Sequence, residues 1–295
     1  MKQSGPVNKS PPPTPPILYH YTTLGAFYEI MTTRQLWASN ISYLNDAKEF
    51  ELAKDIAGRL IDDHLQNVDD RAAEPNRVVQ TRLKNMRTLL GQVIATDTFI
   101  FSLTEEGDQL SQWRAYCRDG GVAIGFDTDR LTRLMEHLHF FLAKCSYDPR
   151  ENKVRLARDI EETLRLRAIG NDGENSISTF WLNQLATAAV HMKHEGFAEE
   201  REWRLVSHPE IMSHLDHPRV KYRATNSFMI PYCELPLDLS FTEPSYDARW
   251  PEVIVSVRIG PTAHDQLMSN VVERFLRAHG SYVTPTTCGI PLREL

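Results

Sequence analysis

Four short runs rich in β-branched and aromatic residues, at 202–207, 220–224, 227–233 and 253–259, succeed one another late in the chain without a helical period between them. Parallel strands need a crossover of a dozen or more residues, usually a helix, between each pair. Bunched strands therefore argue against a doubly wound parallel sheet. The earlier strand-like runs are 17–22 (ILYHYT), 35–40 (QLWASN), 98–104 (TFIFSLT), 121–126 (GVAIGF) and 140–146. Between them stand runs of helical period at 24–33, 47–66, 77–95, 129–137, 152–168 and 178–195, with a helical turn at 108–116. Leu24, Phe27, Ile30 and Met31 mark the first of these, and Asp46 is placed to cap the second. A helix at 263–278 and a strand at 282–286 close the chain. The expected fold is α+β: a single domain with a mixed or antiparallel sheet core and peripheral helices.

A chain of 295 residues is long enough to bury a core without disulfides or a structural metal. Its net charge of −6 argues against holding nucleic acid mainly by charge. The four cysteines, Cys117, Cys145, Cys233 and Cys288, form no CxxC pair and no zinc-finger spacing with histidine. They are expected to be buried or half-buried free thiols, which suit a reducing cytoplasm. No apolar run reaches membrane-spanning length, and residues 1–10 lack the apolar stretch of a signal peptide. Residues 10–16 read SPPPTPP, which can neither pair in a central strand nor enter a helix. Residues 1–16 are thus expected to be a disordered tail, and 17–295 the folded domain.

Four polar clusters interrupt the apolar runs. The first is Tyr19-His20-Tyr21-Thr22-Thr23, where a histidine between aromatics can offer a ring nitrogen to a ligand hydroxyl or to a backbone group. The second runs from Ser39 to Asp46, with Glu49 one turn on; it fits a capping loop and a ligand loop equally. In the third, Ser102 and Thr104 face one side of a strand, followed by Trp113 and Arg114, whose guanidinium suits a carboxylate or a phosphate. The fourth is Glu200-Arg201-Glu202-Trp203-Arg204. As a strand it places Glu200, Glu202 and Arg204 on one face, either as an exposed salt-bridged surface or as carboxylates at a cleft. His20, Ser102, Thr104, Glu200 and Glu202 are each polar and strand-borne among apolar neighbours, so they are expected to meet in one cleft. His191, His194 and Glu195 lack the HExxH order, and no metal is expected there. Walker A, GxGxxG and GxSxG sequences are absent.

The order of YHYTT, SYLND with Glu49, SLT followed by D-x-L-S-Q-W-R-A-Y, GVAIGFD, ExEWRL, IPYCEL, RIGP and IPLR resembles the bacterial domain of unknown function family 2971, from Ile17 to Arg293. A more distant similarity links the chain to ADP-ribosyltransferases. These carry a histidine or arginine on a first core strand, a hydroxyl or aromatic residue on a second and a glutamate, often E-x-E, on a later one. Here His20, then Ser102 and Thr104, then Glu200-x-Glu202 follow that order, with Leu103 where the Ser-Thr-Ser motif has threonine. The resemblance implies an enzyme that cleaves NAD, as substrate, at the nicotinamide–ribose bond. It implies Glu202 as catalytic residue, Glu200 as its partner and His20 as ribose anchor. Tyr21, Thr22, Ser102, Thr104, Trp113 and Arg114 would join His20 in holding the dinucleotide, and the macromolecular acceptor is open. Two other classes stand beside this one: a metal-dependent hydrolase or nuclease using Asp46, Glu49, Glu200 and Glu202, and a non-catalytic nucleotide-binding regulatory module.

Overall fold

β1 (Ile17–Thr23) starts straight after Pro16, whose carbonyl accepts from Thr128 N at 3.1 Å and so ties the strand's entry to the start of a distant helix. Its last residue, Thr23, caps α1 (Leu24–Thr33) by accepting from Ala26 N at 3.2 Å. Arg34 then turns through the left-handed region at φ 56° and releases the chain into β2 (Gln35–Asn40). The computed structural model describes residues 14–43, 47–67, 74–92, 98–117, 120–167, 173–208, 218–225, 229–238 and 252–290. The expected tail up to residue 13, Asp46 with its capping role, and residues 291–293 of the IPLR motif lie outside the described residues.

The helices α2 (Ala47–Asn67), α3 (Glu74–Gln92), α6 (Pro149–Arg165) and α7 (Gly173–His191) gather into a cluster of their own. Phe50, Ile61, Leu83, Met86, Ile160 and Trp181 are buried among them. α6 begins with Asp148 accepting from Arg150 N at 2.8 Å and Pro149 in the first turn, where a missing N–H costs nothing. α7 starts at residue 173, several residues ahead of its apolar period, and Glu174 in its first turn binds Arg82 of α3 at 3.0 Å.

The remaining elements build the sheet and its cover: β3 (Phe99–Thr104), α4 (Leu110–Tyr116), β4 (Gly121–Asp127), α5 (Thr128–His137), β5 (Phe140–Lys144), β6 (Glu202–Ser207), β7 (Val220–Ala224), β8 (Met229–Pro236), β9 (Ile254–Ile259), α8 (Asp265–Ala278) and β10 (Thr286–Thr287). The described strands form one mixed sheet, in the order β10-β9-β4-β1-β3-β2-β8-β7, with β6 also on β3 and β5 on β6. β10 runs parallel to β9, and the other pairings are antiparallel. This is the α+β architecture the strand bunching implies. The terminal strand lies at 286–287 rather than 282–286, because its pairing is set by β9 and not by the local Tyr-Val pair.

One irregularity in the sheet prepares the site. A single edge of β3 receives two strands: β1 at Tyr19↔Thr104, and β2 at Ser39↔Ile100 and Asn40↔Phe99. The middle of β3 has no strand on that edge, while its other edge is fully paired with β6 from Ile100↔Val206 to Thr104↔Glu202. The sheet is split there, above an apolar face built from Leu18, Phe101, Leu103, Phe126, Trp203 and Leu205. Among the described residues no helix is long and apolar enough to cross a membrane.

Candidate functional site

The split leaves the Ser102 carbonyl of β3 without a strand neighbour. His20 fills the gap: its Nδ1 donates to Ser102 O at 2.9 Å, and its ring lies against Phe101 with centroids 4.2 Å apart. A carbonyl only accepts, so Nδ1 carries the proton and Nε2 is the ring's acceptor. Burial pushes the imidazole pKa down to about 4, against the opposing pull of the Ser102 bond, so the ring is neutral near pH 7.

Across β3 stands the acidic strand. Glu202 and Arg204, two residues apart on β6, share a face, and the Arg204 guanidinium grips the carboxylate with Nε–Oε1 at 2.9 Å and Nη2–Oε2 at 3.1 Å. Arg204 also donates to Val190 O at 3.2 Å. Lys193 completes the network: its ammonium contacts Glu202 Oε2 and reaches Glu200 Oε2 at 2.5 Å. Lys193 is brought there by the end of α7, where Lys193 N donates to Ser146 O at 3.1 Å. The Glu202 backbone is pinned as well, its N–H donating to Tyr147 Oη at 2.8 Å and its carbonyl accepting from Cys145 N at 3.0 Å.

Only Glu202 and Arg204 of the three expected ionised groups share the strand face, Glu200 lying in the turn before it, and they are interior rather than exposed: Arg204 is fully buried and Glu202 nearly so. They are tolerated because each is paired: two carboxylates meet one guanidinium and one ammonium. Burial alone would raise the Glu202 pKa; Arg204 and then Lys193 overcome it by charge and hydrogen bonding, and hold it at about 2.

Glu200 precedes the strand in a short 3-10 turn, 195–200, opened by His194 Nδ1 accepting from Gly196 N at 3.1 Å. Arg201 closes that turn in the left-handed region at φ 43°. Thr104 ties the turn to β3: its hydroxyl donates to Glu200 O at 2.7 Å and accepts from Glu106 N at 3.2 Å. Both roles of that hydroxyl are spent on structure.

These residues surround one cleft. Its walls are Tyr19, His20 and Tyr21 from β1, Ser102, Leu103 and Thr104 from β3, Gln112 and Tyr116 from α4, with Glu200 and Glu202 at the acidic side. Its volume is about 60 Å³. That admits a few waters or the polar edge of a ring, and is far smaller than the several hundred Å³ that enclose a whole cofactor. Tyr21 Oη donates to Glu106 O and accepts from Gln109 N, both at 2.9 Å, which fixes the loop above the cleft. Tyr19 packs so closely on Gly107 that a Cβ there would sit 2.5 Å from the ring.

The five residues expected to meet, His20, Ser102, Thr104, Glu200 and Glu202, do line this cleft, and Tyr21 lines it too. Trp113, Arg114 and Thr22 do not. Trp113 is buried against Tyr21 and donates Nε1–H to Asp108 Oδ1 at 2.9 Å, while Arg114 is exposed. Successive helix residues point about 100° apart, so a short helix cannot aim Gln112, Trp113 and Arg114 at one place. Gln112 and Tyr116 are the pair at i and i+4 that share the cleft face, and that spacing was the signal available in the sequence. Thr22 is buried on the strand face opposite Tyr21, and its carbonyl accepts from Cys117 Sγ at 3.3 Å. Lys193, in a link between elements, left no pattern to find.

Of the metal-site alternative, Asp46 and the Glu49 side chain lie outside the described residues. Among the described residues no group of three or more His, Cys, Asp or Glu side chains is placed to hold a metal ion.

Residues 112–205 match the model of the family described as protein of unknown function DUF2971. That segment belongs to DUF2971. No curated protein and no solved structure matches the chain. The DUF2971 segment carries one half of the cleft, Gln112, Tyr116, Glu200 and Glu202, together with Lys193 and Arg204, which pair the two glutamates. The other half, His20 with Ser102 and Thr104, comes from β1 and β3, ahead of the DUF2971 match.

Proposed function

We propose that the cleft is an ADP-ribosyltransferase-like site that breaks the bond between nicotinamide and the ribose C1′ of NAD, in the cytoplasm. The observation that supports this most is the meeting of a neutral histidine, a strand serine and an E-x-E pair from three different strands and a turn in one small cleft. In the reaction the C1′–N bond breaks and its electron pair leaves with the ring, which becomes neutral nicotinamide. Positive charge builds on the ribose until an acceptor nucleophile bonds C1′ and loses its proton. A fixed carboxylate beside C1′ stabilises that charge most where it is greatest, in the transition state.

The two glutamates divide the work. Both oxygens of Glu202 are committed to Arg204 and Lys193, so its part is to hold those two cations and, through Lys193, to position Glu200. Glu200 keeps 19 % of its side chain exposed and is the carboxylate a ribose can reach. The ring nitrogen Nε2 of His20 accepts from a ribose hydroxyl, and the Ser102 hydroxyl lies in the same wall. With about 60 Å³ of space, the cleft takes the nicotinamide end and leaves the adenylate half outside. Arg204 and Lys193 already neutralise the carboxylates, which weakens the case for a divalent ion on the same oxygens.

Incubating the purified chain with NAD and cell lysate, then following free nicotinamide and modified macromolecules by mass spectrometry, tests the proposal. Metal-independent nicotinamide release is the expected result. Turnover abolished by a chelator would turn the reading to a metal-dependent hydrolase. A bound nucleotide that stays intact would leave a binding module.

A further inference from the structure

Gln112 stands on α4 with 6 % of its surface exposed, lining the cleft. Its side-chain amide has no hydrogen-bond partner among the described residues, and neither amide atom is sealed from solvent. Its neighbours are committed: Gln109 donates to Glu199 O at 2.9 Å and Trp113 to Asp108. The amide therefore keeps both its donor and its acceptor for whatever enters the cleft. We propose that Gln112 reads the carboxamide of an aromatic ring ligand, accepting from its NH₂ and donating to its carbonyl in a paired, coplanar contact.

The surroundings favour that chemistry. Tyr19, Tyr21 and Tyr116 give the cleft aromatic walls, and Glu200 and Glu202 are balanced by Lys193 and Arg204. A neutral planar group is therefore welcome, and the space suits the edge of a ring rather than a whole nucleotide. A carboxylate in place of the carboxamide would present no donor to the Gln112 carbonyl. In assigning that carboxamide to nicotinamide, the inference rests on the NAD reading of the site.

The test measures binding of nicotinamide, nicotinic acid, 3-acetylpyridine and adenosine to the full chain and to Gln112→Leu, with thermal melts of both. The wild-type chain should bind nicotinamide at least roughly tenfold more tightly than nicotinic acid or 3-acetylpyridine, which lack the NH₂ donor. Gln112→Leu should lose at least about tenfold on nicotinamide and little on 3-acetylpyridine. It should melt at about the same temperature, because the Gln112 amide makes no bond within the protein that leucine would lose. A merely structural glutamine would instead lower the melting temperature on substitution, and that outcome overturns the proposal. So does unchanged nicotinamide binding in the variant, absence of nicotinamide binding to the wild-type chain, or Gln112-dependent binding of adenosine in its place. The two ideas fail separately. Gln112-dependent nicotinamide binding without NAD cleavage would remove the transferase reading and keep this one. NAD cleavage with the same KM in Gln112→Leu would do the reverse.

Discussion

Glu200 and Glu202 share one ammonium but not one environment, and substitution should separate them. Glu202 is buried with both oxygens held, so Glu202→Gln strands Arg204 and Lys193 beside a neutral amide. We expect a loss of roughly 3–5 kcal/mol, as for breaking other buried pairs, read as a lower denaturation midpoint. Glu200 is partly exposed, and Glu200→Gln should leave the fold nearly intact while lowering nicotinamide release by about a hundredfold or more with NAD binding preserved. Melting temperature and turnover measured on one preparation decide it; full turnover in a well-folded Glu200→Gln chain ends the catalytic assignment. Lys193 gives a third outcome. In Lys193→Met two carboxylates remain close together, beside Arg204 alone, and one of them takes up a proton more readily. The variant should therefore be destabilised more at pH 8, where both must ionise, than at pH 5, as denaturant titrations at the two values would reveal.

At the scale of elements, the site depends on a loop that is held by contact with a tyrosine. Gly107 lies between β3 and α4, and its missing Cβ makes room for the Tyr19 ring. Gly107→Ala should cost roughly 1–3 kcal/mol, as other overpacking changes do, and should weaken ligand binding by moving a cleft wall. A crystal structure or a melt that finds neither effect would show the loop to be pliable. The strands around this loop were legible because burial imposes period 2 or continuous apolar runs on them. α1, β2, β6 and β7 have the bounds their patterns imply, and His20, Ser102, Thr104 and Glu202 meet as polar residues on such strands should, joined by Glu200 from the turn before β6 rather than from the strand. The split edge of β3 was not legible, because it depends on where β1 and β2 diverge and no local residue encodes that. Nor was the fate of Trp113 and Arg114. Residue type marked them as costly, but the rotation of α4 sent one to the core and the other to solvent. Gln112, less conspicuous, took the cleft.

For the whole molecule, the same buried groups set the response to acid. The sheet core and the helical cluster were both foreseeable from apolar periodicity, but the charges placed between them were not, since sequence gives no depth. Together with the buried histidines, those charges make stability fall in two stages. His20 has a folded pKa of about 4 against 6.5 for the free side chain, so below pH 6.5 the unfolded chain binds a proton that the folded chain refuses. His191 is shifted the same way, by burial first and by Arg155 and Arg204, with its bond to Thr187 opposing. Stability is then full above pH 6.5 and drains as the pH falls toward 4, on the order of 3 kcal/mol for His20 alone. Glu202 acts later: its folded pKa of about 2 lies below its ordinary 4.5, so its contribution is complete above pH 4.5 and disappears as the pH falls through 2. His20→Asn isolates the first stage. The asparagine Nδ2 can take the place of Nδ1 and donate to Ser102 O across the split, yet it cannot titrate. Losing the ring contact with Phe101 should lower stability at pH 8, while the slope of stability against pH between 6.5 and 4 should flatten markedly. Denaturant titrations of both chains at half-unit steps from pH 8 to pH 4 measure that slope. An unchanged slope in His20→Asn would mean that His20 takes up its proton in the folded protein as it does in the unfolded chain, and a ring held neutral by burial would be ruled out.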